Sequence, residues 1–453
     1  MSSWDVEQVV GLVRGASIAE AIDVSDASEW TELDHAVRDT ARHRPSMRRA
    51  PAWASDHPVR RVSWRWDAPL PSVPLSRRRS HPEPTETELA LALCHPDGRI
   101  RQAALRRAEG VPALLPLVVI RCADWVEPVR TEARSMLRAA LPGVGPEAIG
   151  VLASVVLRIS GRQRGAAALD LLESALREAP APVLDAVLVS EERSVRRLAH
   201  RLAVERGLFS PARLALIAAS DEDVVIQDLA ASGALAAVDV TTDDDVLRQL
   251  LRSRYPRVRS AGVTALRRAE RYGEAEPFLT DRSPLVRACA RYVLRQAGVD
   301  PVPLYRALCV GTDVPAGAPV GLAECGARDD RDLLWPLTRH PHDGVRARAV
   351  AGLRLLETAD VARLTVLLDD PAPGVVRETA TALLPWVRRL SPEELMERLA
   401  PDRPRHVRVG AFRLLAARGG EACGEAARRL SDDADARLRA NARAVLGGWR
   451  TVR

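Results

Sequence analysis

The sequence predicts an all-α fold, a solenoid of stacked helix pairs, and three observations carry that prediction. The first is a recurring skeleton: an acid, often a Pro, then Val-Arg, with Ala four residues after the Val and Leu four after that. DRSPLVRACARYVLRQAG, residues 281–298, is one copy. The second is its period. The apolar-Arg pair stands at Ile100-Arg101, Val129-Arg130, Val195-Arg196, Val258-Arg259, Val286-Arg287, Val345-Arg346, Val376-Arg377, Val407-Arg408 and Leu438-Arg439, with Val225-Ile226 a member that has lost its Arg. Successive apolar positions lie 28–33 residues apart except for two gaps of 66 and 59, each close to double, so each should hide a degraded copy. Self-similarity at about 31 residues signals a repeat array, here of about twelve units. The third is composition. With 47% apolar residues but only 4% aromatics, the core must be Leu, Ala and Val, and this suits helices.

Taken in order, residues 1–43 open with a helix over VEQVVGLVRG and continue into an acidic helical segment, SEWTELDHAVRDTARH. Residues 44–85 differ in kind, with eight Pro and with Trp53, Trp64 and Trp66 beside the basic run RRRS at 77–80. A plain disordered linker holds few Trp. This segment is therefore expected to be an extended strap packed on the first repeats, the alternative being a linker that carries a basic peptide. Residues 86–453 are the repeat array. Its hidden copies are placed at Gln163-Arg164 with Ala167 and Leu171, and at Val314-Pro315 with Ala318 and Leu322.

Within a copy, Ser283 is expected to cap free backbone amides, Pro284 to occupy the first turn, and Gly298 to stop the helix in a left-handed conformation. Val286, Cys289, Ala290, Val293 and Leu294 then form a one-sided apolar stripe. The small fourth position recurs as Ala104, Ala133, Ala199, Ala290, Ala349, Ala380, Ala411 and Ala442, which lets neighbouring helices approach closely. A second amphipathic segment precedes each such helix, as in ARLALIAA and PEELMERLA. Neither helix of a pair buries its stripe alone, so the pairs must stack.

This pattern resembles the HEAT repeat, most closely the short bacterial form found in proteins related to the phycobilisome-lyase group. The resemblance covers residues 86–453 and lies in the repeat skeleton alone. It implies a right-handed α-solenoid whose second helices line a concave face. Lyase activity is not carried over with it.

The Arg that follows each buried apolar residue is the most regular polar feature. A cation in the first turn of a helix opposes the helix dipole and needs a compensating partner. Asp or Glu commonly precedes it, so Arg101, Arg130, Arg196, Arg259, Arg287, Arg346, Arg377, Arg408 and Arg439 are expected to form a structural ladder of carboxylate and carbonyl bonds from turn to turn. In two units more Arg follow at helical spacing. Arg134 and Arg138, with Arg291 and Arg295, are accordingly the candidate partner-binding stripes, for an acidic protein surface or for phosphates.

Charge and motifs bound the function. All 66 basic residues are Arg. Residues 1–40 hold nine acids and two Arg, residues 41–85 ten Arg and three acids, and the remaining 368 are near neutral for their size. A nucleic-acid reader usually concentrates more positive charge on one domain. Six single Cys without a paired motif point to a reduced, intracellular setting, and the acidic start lacks a signal sequence. The longest apolar run is about half of a membrane span. No nucleophile, phosphate-loop or metal motif is present. His340 and His342 fall in an inter-helix turn and are not expected to bind metal. The expectation is a non-catalytic, cytoplasmic protein-binding scaffold without cofactor, membrane attachment or small-molecule substrate. Nucleic-acid binding is the alternative. A glycosylase built on DNA-alkylation repeats, drawing on Arg121, Asp124, Trp125 and Arg130, is the enzymatic outsider.

Overall fold

The structure, a computed structural model, describes residues 6–43, 47, 51–54, 83–237 and 244–450. Every regular element among them is helical. The chain divides into two compact units, residues 1–210 and 211–453.

In the first unit, α1 (Val6–Val13), α2 (Ile18–Ala21) and α3 (Ala27–His43) precede four helix pairs. These are α4 (Glu86–Leu93) with α5 (Gly98–Arg107), α6 (Leu115–Arg121) with α7 (Glu127–Ala140), α8 (Pro146–Ser160) with α9 (Ala166–Glu178), and α10 (Ala181–Leu188) with α11 (Arg193–Glu205). Second helices stack on second helices, α5 on α7 and α7 on α9, while α6 packs between α4 and α8. This is the layering that one-sided apolar stripes require. The N-terminal helices join the stack, α1 against α4 and α3 against both α6 and α8, through Val9, Leu12, Trp30, Leu33 and Val37.

The second unit begins with α12 (Pro211–Ser220) and α13 (Val224–Ala237), then α14 (Asp244–Leu251) and α15 (Pro256–Arg268). Next come a 3-10 segment (Tyr272–Thr280) with α16 (Pro284–Gln296), and α17 (Pro301–Val310) with α18 (Ala318–Ala323). The remaining pairs are α19 (Arg331–Leu337) with α20 (Asp343–Leu355), α21 (Val361–Val366) with α22 (Pro373–Leu383), α23 (Pro392–Glu397) with α24 (Arg405–Arg418), and α25 (Gly420–Leu430) with α26 (Ala436–Arg450). Here too α13 packs on α15, α15 on α16, α20 on α22 and α22 on α24.

The small positions sit where the helices touch. Ala104, Ala133, Ala199, Ala290, Ala349 and Ala442 are wholly buried, and Ala380 and Ala411 are 1% exposed. Gly262 continues the series, and a Cβ there would lie 3.1 Å from the backbone nitrogen of Leu251.

Two registers differ from the sequence reading by one residue. In α9, which begins at Ala166, the buried positions are Ala168, Leu172 and Leu176 rather than Ala167 and Leu171. In α13 Val225 is exposed and Ile226 is fully buried, so Gln227 takes the place of the missing Arg. The Gly-rich stretch at 310–330 holds α18, whose Ala318 and Leu322 are buried. Gly321 is there for close approach, since a Cβ would lie 2.3 Å from Cε1 of the buried Tyr305 ring.

Helix starts follow the expected plan with one change of agent. Pro128, Pro256, Pro284 and Pro373 all occupy the first turns of their helices. Ser283 is the N-cap of α16, but its hydroxyl makes no capping bond. Its N–H instead donates to Oδ1 of Asp281 at 2.7 Å. The same two-residue turn recurs at Asp124 with Val126 (2.9 Å) and at Asp370 with Ala372 (2.8 Å). An Asp side chain closes such turns readily.

Helix stops show that left-handed geometry matters more than residue type. Gly207 and Gly298 adopt φ of 66° and 78°, but Glu270 and Glu357 hold the same turn at 56° and 54°. A left-handed non-Gly residue is disfavoured by roughly 1–2 kcal/mol. Glu270→Gly is therefore expected to stabilise the second unit by about 0.5–1 kcal/mol. A denaturant melt that moves the other way would remove this turn as a source of strain.

Of the predicted strap, Trp53 is buried and packs on α5, with the Arg107 guanidinium 5.0 Å from its ring centre. Trp64, Trp66 and the basic run at 77–80 lie outside the described residues. Among the described residues, no helix is long and apolar enough to cross a membrane.

Candidate functional site

The ladder is built from two kinds of acceptor. Nη1 of Arg101 donates to the carbonyls of His95 (2.8 Å) and Pro96 (2.9 Å), which follow the last turn of α4. Its Nε and Nη2 grip both oxygens of Asp124, one turn further along the stack, at 2.8 and 2.7 Å. The cation that opposes the dipole of its own helix thus lies against the negative end of the helix before it. Arg259 repeats this arrangement with Ser253, Arg254 and Asp281, and Arg346 does so with His340, Pro341 and Asp370. Arg408 pairs with Asp433.

Each such Asp does two things at once. It closes its own turn through a backbone N–H and accepts the guanidinium of the preceding pair. The acid ahead of an Arg therefore belongs to the previous Arg, while the Arg itself bonds the backbone beside that acid. Arg130 bonds the carbonyl of Asp124, Arg196 those of Ser190 and Glu191, and Arg439 those of Asp433 and Ala434. Gln227 keeps the carbonyl half of the pattern, donating to Asp221 O at 2.8 Å.

Arg377 stands outside the ladder. It is exposed, with Glu378 as its neighbour at 3.8 Å. The acid one turn on, Asp402, is itself exposed, so no buried carboxylate waits for this Arg. Arg287 finds its carboxylate on Glu324, the C-cap of α18 in the degenerate copy, and also donates to the Asp281 carbonyl.

The two candidate stripes split in the same way. Arg291 is buried, donating to Glu324 at 2.6 Å and lying 3.5 Å from the Tyr305 hydroxyl. Burial lifts that phenol to about 12. Arg134 bonds the carbonyls of Cys122 and Arg164, bridging to a copy whose inter-helix turn, residues 161–165, holds no acid. Arg138 and Arg295 are exposed. Half of each stripe is thus drawn into the scaffold and half faces solvent.

The residues of the glycosylase reading do come together, but around a carboxylate already saturated. Asp124 accepts from Arg101, Arg121 and the Val126 N–H, and it is 4% exposed. A general base must be free to take a proton. Sequence reasoning missed the second acid of this cluster, Asp34, which α3 brings against Arg121 at 2.5 Å and Arg38 at 3.0 Å. Its helical neighbour Arg38 gives no hint of the cluster, because Arg121 lies about ninety residues away in sequence. Burial raises its carboxyl pKa against the pull of Arg38. The His340 and His342 rings lie 5.4 Å apart with a His340 nitrogen accepting the His342 N–H, and no metal-ligand cluster occurs among the described residues.

A groove of about 820 Å³ opens at the other ends of these helices. Its apolar lining includes Val24, Val111, Leu115, Met136, Val144 and Val151, and Glu86, Glu109 and Glu147 stand around it, all three exposed. The turns that end α5 and α7 form one wall, and α2 and the start of α3 form another.

No family model and no curated protein matches the chain. Among solved structures it is similar to Kap95p bound to RanGDP, at 13% identity and a TM-score of 0.34, covering 76% of this chain and 56% of that one. A Kap95:Nup1 complex gives 14% and 0.36 over 80% and 61%, and importin beta in an ammonium sulfate condition gives 15% and 0.29 over 76% and 57%. The chain thus spans less than two thirds of the length of these structures, and at such scores the fold rests on its own helix pairs. By those pairs, each of the two units is a stack of helix pairs of HEAT-like form.

Proposed function

We propose that the chain is a non-catalytic scaffold that holds a protein partner on the face of its first repeats. The observation that carries this reading is the groove beside Met136. A concave apolar surface of this size on an otherwise charged protein is characteristic of an interaction site. Its acidic surround selects the occupant: a partner segment with apolar anchors and flanking basic residues, matched to Glu86, Glu109 and Glu147. Charge complementarity of this kind sets specificity and encounter rate more than affinity. The exposed Arg138 and Arg295 remain candidate contacts for an acidic part of the same partner. Six single thiols suit a reducing, cytoplasmic setting.

The test is affinity capture from the native cell, with and without nuclease, using the natural chain and an Ala139→Arg/Ala148→Arg variant. Both alanines are exposed on the groove wall, so the variant should fold while losing the cavity. A protein kept through nuclease treatment and lost by the variant supports the reading. Loss on nuclease treatment favours nucleic acid. Displacement of the captured protein by a synthetic peptide of residues 55–82 would make this chain's own segment the occupant.

A further inference from the structure

A second cavity, of about 310 Å³, lies between α3 and the turn that links α6 to α7. Arg38, Arg121 and Arg162 line it together with His35 and Trp125. The charges around it do not balance. With Arg101, which grips Asp124 from behind, four guanidiniums face two carboxylates, Asp34 and Asp124, an excess of two positive charges. The inner wall is dry, since Arg101 and Arg121 are 0% and 2% exposed, while Arg162 stands on the open rim. Uncompensated charge in such a place is costly unless a counter-charge arrives.

Donor capacity is also left over. The Arg121 Nε is buried without a hydrogen-bond partner. Nη2 of Arg38 stops 4.0 Å short of Asp124, beyond hydrogen-bond distance. Arg162 is exposed, and no hydrogen bond or ion pair of its side chain occurs among the described residues. Trp125 is 54% exposed with the Arg38 and Arg101 guanidiniums 4.6 and 4.4 Å from its ring centre, so a large aromatic is held out toward solvent beside the cations.

We propose that this cavity is a binding site for the phosphate head group of a small phosphomonoester. The ligand class follows from the charge excess, which a phosphomonoester meets with about −1.5 to −2 at neutral pH. Guanidinium forks fit phosphate oxygens in pairs, which strengthens the contact and fixes its geometry. The volume lies at the small end of the roughly 300–1,000 Å³ range of ligand pockets, so the organic body must be small. The site is independent of the apolar groove.

The experiment is calorimetric titration of the full chain with inorganic phosphate and with O-phosphoserine, at ionic strength held constant with chloride. Acetate serves as the monoanionic control. Both phosphates should saturate a single site, and Arg162→Glu should weaken both by about tenfold or more, as loss of a charge-assisted contact does. Arg162 lies on the rim, so the variant should melt like the natural chain. No saturation at millimolar phosphate, or affinity unchanged by Arg162→Glu, overturns the site. Equal binding of acetate overturns the phosphate assignment, and rejection of phosphoserine overturns the organic body.

Discussion

Asp124→Ala is expected to destabilise residues 1–210 by about 3–5 kcal/mol, the range for breaking a buried ion pair from one side. The carboxylate is 4% exposed and holds Arg101 and Arg121, which are themselves 0% and 2% exposed. Removing it leaves Arg101 buried without a carboxylate and Arg121 with Asp34 alone, and frees the turn that Val126 N–H closes on it. The exposed Asp245→Ala, whose pair with Arg248 lies in solvent, serves as the control, with a change of about 0–1 kcal/mol. Urea unfolding followed by circular dichroism measures both. A second arm separates pairing from packing: a double replacement, Arg101→Met with Asp124→Leu, should recover a large part of the loss, since apolar substitutes for a buried pair are often neutral. Equal effects of Asp124→Ala and Asp245→Ala would mean that the ladder orders turns without holding the stack.

Ala290→Trp should be the most damaging single substitution in residues 211–453, above the roughly 1–3 kcal/mol of ordinary overpacking. Ala290 is fully buried on α16 where that helix meets α15 and the 3-10 segment at Tyr272–Thr280. An indole there has no cavity to enter and must drive the layers apart. Arg295→Trp, one turn further along on the exposed face, should be mild. Thermal melts of the two variants measure the contrast, and equal melting would mean that the small position is not the contact between layers.

Much of this architecture is legible in the primary structure because it is periodic. A repeat writes the same local requirement many times, so Val286, Ala290 and Leu294 are recognisable from Val345, Ala349 and Leu353 without any knowledge of their neighbours. Where the Val-Arg signal is lost, the register slips by one residue, as at Ala168 and Ile226. The recurrence of Arg and acid at each turn was readable too, but their wiring was not. The acid nearest an Arg in sequence belongs to the Arg of the preceding pair, and only stacking reveals this.

The candidate sites divide along the same line. The amino-acid sequence determined by itself the helix pairs, the small contact positions and the recurrence of Arg after the buried apolar residue, since each follows from local spacing repeated many times. The tertiary structure alone decided which arginines are buried and which face solvent. Arg291 and Arg295 sit one helical turn apart on the same stripe, yet Glu324 at the end of the degenerate copy's α18 draws in the first and leaves the second facing solvent. It also decided that Asp34 meets Arg121 and that Trp125 stands beside a cavity with excess positive charge. Those contacts join segments far apart in the chain, and long-range electrostatic partners leave no periodic trace in either segment alone.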